Sequence, residues 1–176
     1  MSFYLAQVCG FFIMVCNAIC VQLKTKDKVL LYLVIANLFG IAQYFLLNAI
    51  TAAVVYTIST IRCLVFYYYG KKDLKPSLAV LLVFELLVVV CGILSWQNIW
   101  SIIPIFVTLV FTYGLWQNNL KVTRISSAIT GLGYVIYNII VMAYFGVLVD
   151  GALAISSIIA LIRTRKIDNK AGEINE

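Results

Sequence analysis

The sequence predicts an all-α integral membrane protein, with seven transmembrane helices in a 3+1+3 arrangement of two parallel triple-helix-bundle repeats, the N-terminus outside and the C-terminus cytoplasmic. Three observations lead there: the composition, the placement of the basic residues, and a hydropathy plan that occurs twice. Of the 176 residues, 64% are apolar and 11% charged, where a soluble domain carries about 45–50% and about 25%. A chain this apolar cannot cover its core with polar surface in water. That excludes an ordinary cytosolic enzyme, a disordered protein and a nucleic-acid-binding domain. At about 20 residues per span, seven spans take about 140 residues and leave short loops and one tail.

Each span is an apolar run closed by a polar break. The first covers residues 3–23 and stops at Lys24, Lys26, Asp27 and Lys28. It lacks the positive leading segment of a signal peptide, so it is expected to be a retained helix. The second covers 29–47 and breaks at Asn48; the third covers 50–69 and ends at Gly70, Lys71, Lys72 and Asp73. Pro76 stands where a first-turn proline is tolerated, and the fourth span follows over 77–95, closed by Trp96, Gln97 and Asn98. The fifth extends to Trp116 and is closed by Gln117, Asn118 and Asn119; the sixth covers 124–144 and the seventh 147–162. The chain divides into a first bundle (1–72), a linker helix (73–98), a second bundle (99–166) and a cytoplasmic tail (167–176).

The chain has 13 Lys and Arg against 7 Asp and Glu, a net charge of +6. All the basic residues except Arg62 fall at alternate breaks: Lys24, Lys26 and Lys28; Lys71, Lys72 and Lys75; Lys121 and Arg124; then Arg163, Arg165, Lys166 and Lys170. Positive loops stay cytoplasmic, which orients the chain. Trp96 and Trp100 then lie at the outer interface, and Trp116 with Tyr67, Tyr68 and Tyr69 at the inner one. The charge is a topology signal, and no nucleic-acid partner is expected. There is no histidine. The five cysteines (Cys9, Cys16, Cys20, Cys63 and Cys91) all lie in apolar runs, where they read as small buried hydrophobes.

Spans one to three and five to seven share one plan: helix, basic loop, helix, tight turn, helix, basic end. A shift of 95 residues overlays Gln22 on Gln117, Lys26 on Lys121, Ile41 on Ile136 and Gln43 on Asn138. With one helix between them both units point the same way, and parallel repeats of this kind place a solute site near mid-membrane. This plan, with Gln22 and Gln117 at the cytoplasmic ends of the first helix of each unit, resembles the PQ-loop superfamily. That group includes the SWEET sugar transporters and the vitamin transporters of the PnuC type. Val21 and Trp116 stand where its signature has proline. Ala6-Gln7 with Gly10, Ile61-Arg62 with Leu64, Ile136-Tyr137-Asn138, Asp150-Gly151 and Leu161-Ile162-Arg163 resemble the YgjV-type family of bacterial inner-membrane proteins over nearly the whole chain. The resemblance implies a multi-pass protein of the bacterial inner (plasma) membrane.

Ionisable residues inside spans are costly and point to function. Arg62 lies about 18 Å below the outer start of its span and Glu85 about 12 Å above the cytoplasmic start of its own, at 1.5 Å per residue. These are similar depths in a core about 30 Å thick, so the two are a candidate charge pair or proton site. Alternatively Arg62 snorkels to the inner headgroups, and Asp150 simply favours the start of its helix. Asn17, Asn37, Gln43, Asn138, Ser156 and Ser157 lie at mid-depth, either bonding helix to helix or lining a cavity. Asn138, Gln43, Arg62 and Asp150 are the candidate substrate-binding residues. Asn138→Ala is expected to weaken solute binding and leave the protein folded. Tyr44, Tyr56, Tyr134 and Tyr137 offer stacking faces. Gln22, Gln117 and Pro104 are candidate hinges, although Pro104 is only a first-turn proline if its helix begins near Ser101.

No Gly-rich phosphate loop, metal-ligand spacing or nucleophile–base offset is present, so no enzyme activity, metal or cofactor is expected. The expected function is a secondary transporter or facilitator for a small polar solute, sugar-like or vitamin-like, working by alternating access. The alternative is a non-transporting receptor or accessory protein on the same fold. The expected partners are the solute and the bilayer, with a homo-oligomer left open. Reporter cysteines at Lys72 and Lys166 should react with an impermeant thiol reagent only from the cytoplasmic side; reaction from outside reverses the assigned topology.

Overall fold

The computed structural model describes residues 2–22, 26–72, 74–117 and 120–173, and among them the protein is all-helical. The helices are α1 (Ser2–Gln22), α2 (Lys26–Leu46), α3 (Ile50–Lys71), α4 (Leu78–Leu94), α5 (Ile102–Trp116), α6 (Leu120–Ile140) and α7 (Tyr144–Glu173), with a short 3-10 turn at Ile99–Ser101 before α5. Among the described residues four segments are long and apolar enough to cross a membrane: Ser2–Ile19, Ile50–Lys71, Ile99–Trp116 and Tyr144–Ile162. Leu31–Leu46 and Leu78–Leu94 are shorter apolar helices, and α6 opens with the polar residues Lys121, Thr123 and Arg124. The side chains of Cys20, Gln22, Lys24, Lys26, Lys28, Arg163, Arg165, Lys166 and Lys170 lie outside the described residues.

Consecutive helices pack against one another, α1 on α2 on α3 and α5 on α6 on α7, while α4 bridges α3 and α5. The two groups of three meet along two seams, α1 against α7 and α3 against α5. Lipid is as apolar as a leucine side chain, so apolar burial does not drive such helices together; close approach of small residues does. The buried stripes show this. Ala6 and Gly10 face inward on α1, Ala36 and Gly40 on α2, and Ala143, Gly146 and Ala154 along the start of α7.

The α2–α3 and α6–α7 connections are built alike. Asn48 and Met142 both have φ of 57°. The amide of the next residue bonds back in each case, Ala49 N to Tyr44 O and Ala143 N to Asn138 O, both at 2.8 Å. Each turn therefore closes its helix with a residue in the left-handed region, as a C-terminal αL cap does. The two turns correspond at a separation of 94 residues, that of Tyr44 and Asn138. Asn138 thus matches Tyr44, and Gln43 matches Tyr137, one residue off the sequence overlay. The sixth span also ends earlier than expected, at Ile140, and Tyr144 opens α7. Met142 supplies the positive φ there without the glycine or asparagine that would advertise it.

Pro104 falls in the first turn of α5, where the missing N–H has little intrahelical bonding to lose. The hinge assigned to it loses its physical basis. At the opposite end of the bundle from the two turns, the Trp116 indole N–H donates to Pro76 O at 2.9 Å, and Lys75 lies over the Trp116 ring at 4.5 Å.

Backbone contact between α6 and α7 rests on Gly131. A Cβ there would lie 2.8 Å from Asp150 O and 2.9 Å from Ala154 N. Backbone atoms cannot rotate away, so Gly131→Ala should force the helices apart and cost about 1–3 kcal/mol. Gly70, where a Cβ meets nothing within 4 Å, is the internal control. Thermal unfolding in detergent should fall for G131A and not for G70A.

Candidate functional site

A chain of buried polar groups runs through the middle of the bundle. The Tyr44 hydroxyl on α2 donates to Asn138 Oδ1 on α6 at 2.7 Å. Asn138 Nδ2 donates in turn to Asp150 Oδ2 on α7 at 2.7 Å. Asn138 is fully buried and Tyr44 is 2% exposed. The amide is held from behind by Gly146, where a Cβ would come within 2.6 Å of Nδ2. Asp150 reaches this position because it lies on the same α7 face as Ala143, Gly146 and Ala154. The bond between Tyr44 and Asn138 links the two groups of three helices.

The tyrosines extend the network. The Tyr44 ring packs on Tyr56 at 4.9 Å and on Tyr137 at 6.0 Å between centroids, and Tyr56 meets Tyr134 edge-on at 5.8 Å. Their shared packing, with Ala49, Ala52, Ala53 and Val107, forms one core cluster. Gly40 leaves room for the Tyr56 ring, since a Cβ there would come within 2.6 Å of it. The hydroxyls of Tyr134 and Thr108 are 3.1 Å apart. Thr112, one turn beyond, donates to Thr108 O at 2.7 Å and accepts from Nη1 of Arg62.

Arg62 is 3% exposed, so it does not snorkel. Its guanidinium lies over Phe111, 5.6 Å from the ring centroid, and its Nε has no hydrogen-bond partner among the described residues. Glu85 on α4 is near enough to interact with it through space. No ion pair joins the two among the described residues, because the guanidinium is drawn to the hydroxyl and ring on α5.

Gln43 is 1% exposed and sits where α1, α2 and α7 converge: a Cβ on Gly10 would lie 2.7 Å from its Nε2 and 2.9 Å from Phe145 Cβ. That Nε2 has no partner among the described residues. The remaining mid-depth polar residues do not join the network. Asn17 bonds Ile13 O, Ser156 bonds Leu153 O, and Asn37 reaches Cys63 Sγ at 3.9 Å. Gln117 ends α5 and donates to the Tyr113 hydroxyl at 2.8 Å.

A cavity of about 260 Å³ opens at the end of the bundle that carries the two tight turns. Asn48, Gln97, Asn98, Ser101, Trp100, Tyr137 and Met142 contribute to its lining. None of the four expected binding residues lines it, and Tyr137, with Ala49 of the same core cluster, ties it to the central network. Among the described residues no three His, Cys, Asp or Glu side chains group as a metal site.

This geometry revises the expected consequence of replacing Asn138. With Asn138→Ala, a buried hydroxyl and a half-buried carboxyl both lose this partner, at a cost of up to about 1–3 kcal/mol each. The variant should lose more thermal stability than Tyr44→Phe, which leaves one buried group, Asn138 Oδ1, without its donor.

The sequence overlay missed the Tyr44–Asn138 bond because it was one residue out of register. It missed Thr108 and Thr112 because threonine in an apolar helix carries no distinctive signal. No curated relative and no solved structure matches the chain. A family profile does, over residues 4–168. With nearly its whole length matched, the chain belongs to the Imp-YgjV family of bacterial inner membrane proteins.

Proposed function

We propose that the protein moves a small polar solute across the bacterial inner membrane by alternating access, without covalent chemistry. In this reading all seven helices span the membrane, with the turn end outside and the basic end cytoplasmic. Helices α1–α3 and α5–α7 are two parallel units related about an axis along the membrane normal, with α4 as linker. The two seams support it, since exchanging the units turns the α1–α7 contact into the α5–α3 contact. So does the bond between Tyr44 and Asn138, which occupy corresponding positions on α2 and α6. Corresponding residues of two related units touch only near the axis that relates them. The likeness to the PQ-loop superfamily belongs to the same proposal.

The observation that carries the solute reading is the pair of buried donors left unpaired, Gln43 Nε2 and Arg62 Nε. An unmet buried donor is destabilising by about 1–3 kcal/mol, a cost a folded protein retains where it serves a purpose. A solute with acceptor oxygens or nitrogens would meet these donors as the units part. Asn138 and Asp150 then act as the joint on which the units move, and Gln43 and Arg62 as the solute contacts.

Gln43→Leu separates binding from structure. It removes an unpaired donor while preserving most of the side-chain volume, so the melting temperature should hold or rise. Affinity in a thermal-shift screen of neutral sugars and ring-bearing vitamins, and uptake into proteoliposomes, should fall about 3- to 10-fold, the value of one hydrogen bond. Full uptake by Q43L would remove Gln43 from the site. Binding without uptake by the unmodified protein would favour a receptor.

A further inference from the structure

At the turn end two side-chain amides cross between the groups of helices, one at each seam. Gln7 on α1 donates from Nε2 to the carbonyl oxygen of Met142, in the α6–α7 turn, at 2.8 Å. Gln97, before α5, donates from Nε2 to the carbonyl oxygen of Asn48, in the α2–α3 turn, at 2.9 Å. The acceptors are the two positive-φ residues, which hold corresponding places in the two turns. Gln97 is further fixed because its Oε1 accepts from Ile50 N at 2.7 Å, whereas Gln7 Oε1 is buried without a partner. The donors do not correspond in sequence register, and Gln97 belongs to the end of the linker, where its backbone N–H holds it to Ser101 Oγ at 3.2 Å; each turn is still gripped from across its seam by the same chemistry.

Within each unit the turn is secured by backbone bonds: Leu47 N to Gln43 O and Val141 N to Tyr137 O, both at 3.0 Å, with the two 2.8 Å closures described above. Across the seams Gln7 makes one neutral side-chain bond, to Met142 O, and Gln97 makes two, to Asn48 O and from Ile50 N, all at an exposed rim. Water can replace such bonds at small net cost. Asn48, Met142 and Gln97 also line the 260 Å³ cavity, whose wall includes Tyr137, the residue before Asn138. Parting of the turns would therefore widen the approach to the central network.

We propose that Gln7 and Gln97 are paired gate residues that control access to the central site from the turn end. This inference rests on the transport reading, because a gate presupposes two units that move as bodies. The ties are made in this structure, so it is closed at that end. Breaking one tie releases both turns, since the units part as bodies and neither turn frays by itself.

Hydrogen–deuterium exchange on the full chain in lipid nanodiscs tests this without a known solute. Gln7→Ala removes only the tie to Met142. Exchange should rise about 3- to 10-fold, the factor for one neutral hydrogen bond, in residues 138–148 and also in residues 44–54, which Gln7 does not hold. Gln97→Ala should give the reciprocal spread, and residues 108–116 should keep their protection in both variants. A rise confined to the turn that lost its tie, or no rise, would overturn the proposal by making the glutamines local caps. Loss of protection at 108–116 would overturn it too, by making them structural staples. Coupled exchange without solute uptake in proteoliposomes would reject transport and leave the coupled parting intact; uptake with confined exchange would reject the gate alone.

Discussion

A polar group stranded in a dry bundle has no water to turn to, and the Tyr44–Asn138–Asp150 chain is where this constraint presses hardest. Asn138 has one amide to offer, and its two ends are aimed at two helices, the carbonyl at the Tyr44 hydroxyl and the NH₂ at the Asp150 carboxyl. For that to happen α7 must come close enough to leave no space for a Cβ at Gly146, and α6 must lie against the α7 backbone at Gly131. The glycines and the hydrogen bonds are therefore one device. The glycines allow the approach, and the amide makes any other register of α6, α7 and α2 leave a polar atom unmet.

The same constraint explains how Arg62 is tolerated. A guanidinium in the bundle interior needs acceptors or a π face. It finds Thr112, which is itself anchored to Thr108 O, and the Phe111 ring. Threonine serves here because its hydroxyl can accept from Arg62 while donating to the carbonyl one turn back. Tyr134 and Thr108 continue the polar line toward the tyrosine cluster. Arg62 and Asp150 thus stand at opposite ends of a set of residues drawn from α2, α3, α5, α6 and α7.

Between the groups of helices the contacts differ in kind from those within them. Inside each group, neighbouring helices share long interfaces of small residues; across the seams the named polar ties are few and sit at particular depths. One joins Tyr44 to Asn138 in the centre, another Arg62 to Thr112, Thr51 meets Ser101 near the turn end, and Gln7 and Gln97 clasp the two turns. The links between the groups are thus side-chain bonds at a few depths, where those within each group are long stretches of helix contact.

Composition and charge placement determined by themselves that the chain is helical and lives in a membrane, because apolar runs bounded by lysine clusters leave few other solutions. They also marked Arg62, Asp150, Gln43 and Asn138 as out of place in lipid, and all four are drawn into the bundle. What the sequence did not carry was who meets whom. Arg62 and Glu85 matched in depth and lie near enough to interact through space, but depth says nothing of azimuth, and it is on α5 that the guanidinium finds its hydrogen bond and its ring. Met142 adopts a positive φ that no residue preference announces, and the sixth helix ends there at Ile140, with the two tight turns 94 residues apart and not 95. Gln7 and Gln97 looked like ordinary polar residues near helix ends, and only the folded chain brings each against the turn of the other unit. Hydropathy is a property of each residue against its solvent and is written locally. Hydrogen-bond partnership in a dry interior depends on how seven helices rotate about their own axes, and packing alone decides that.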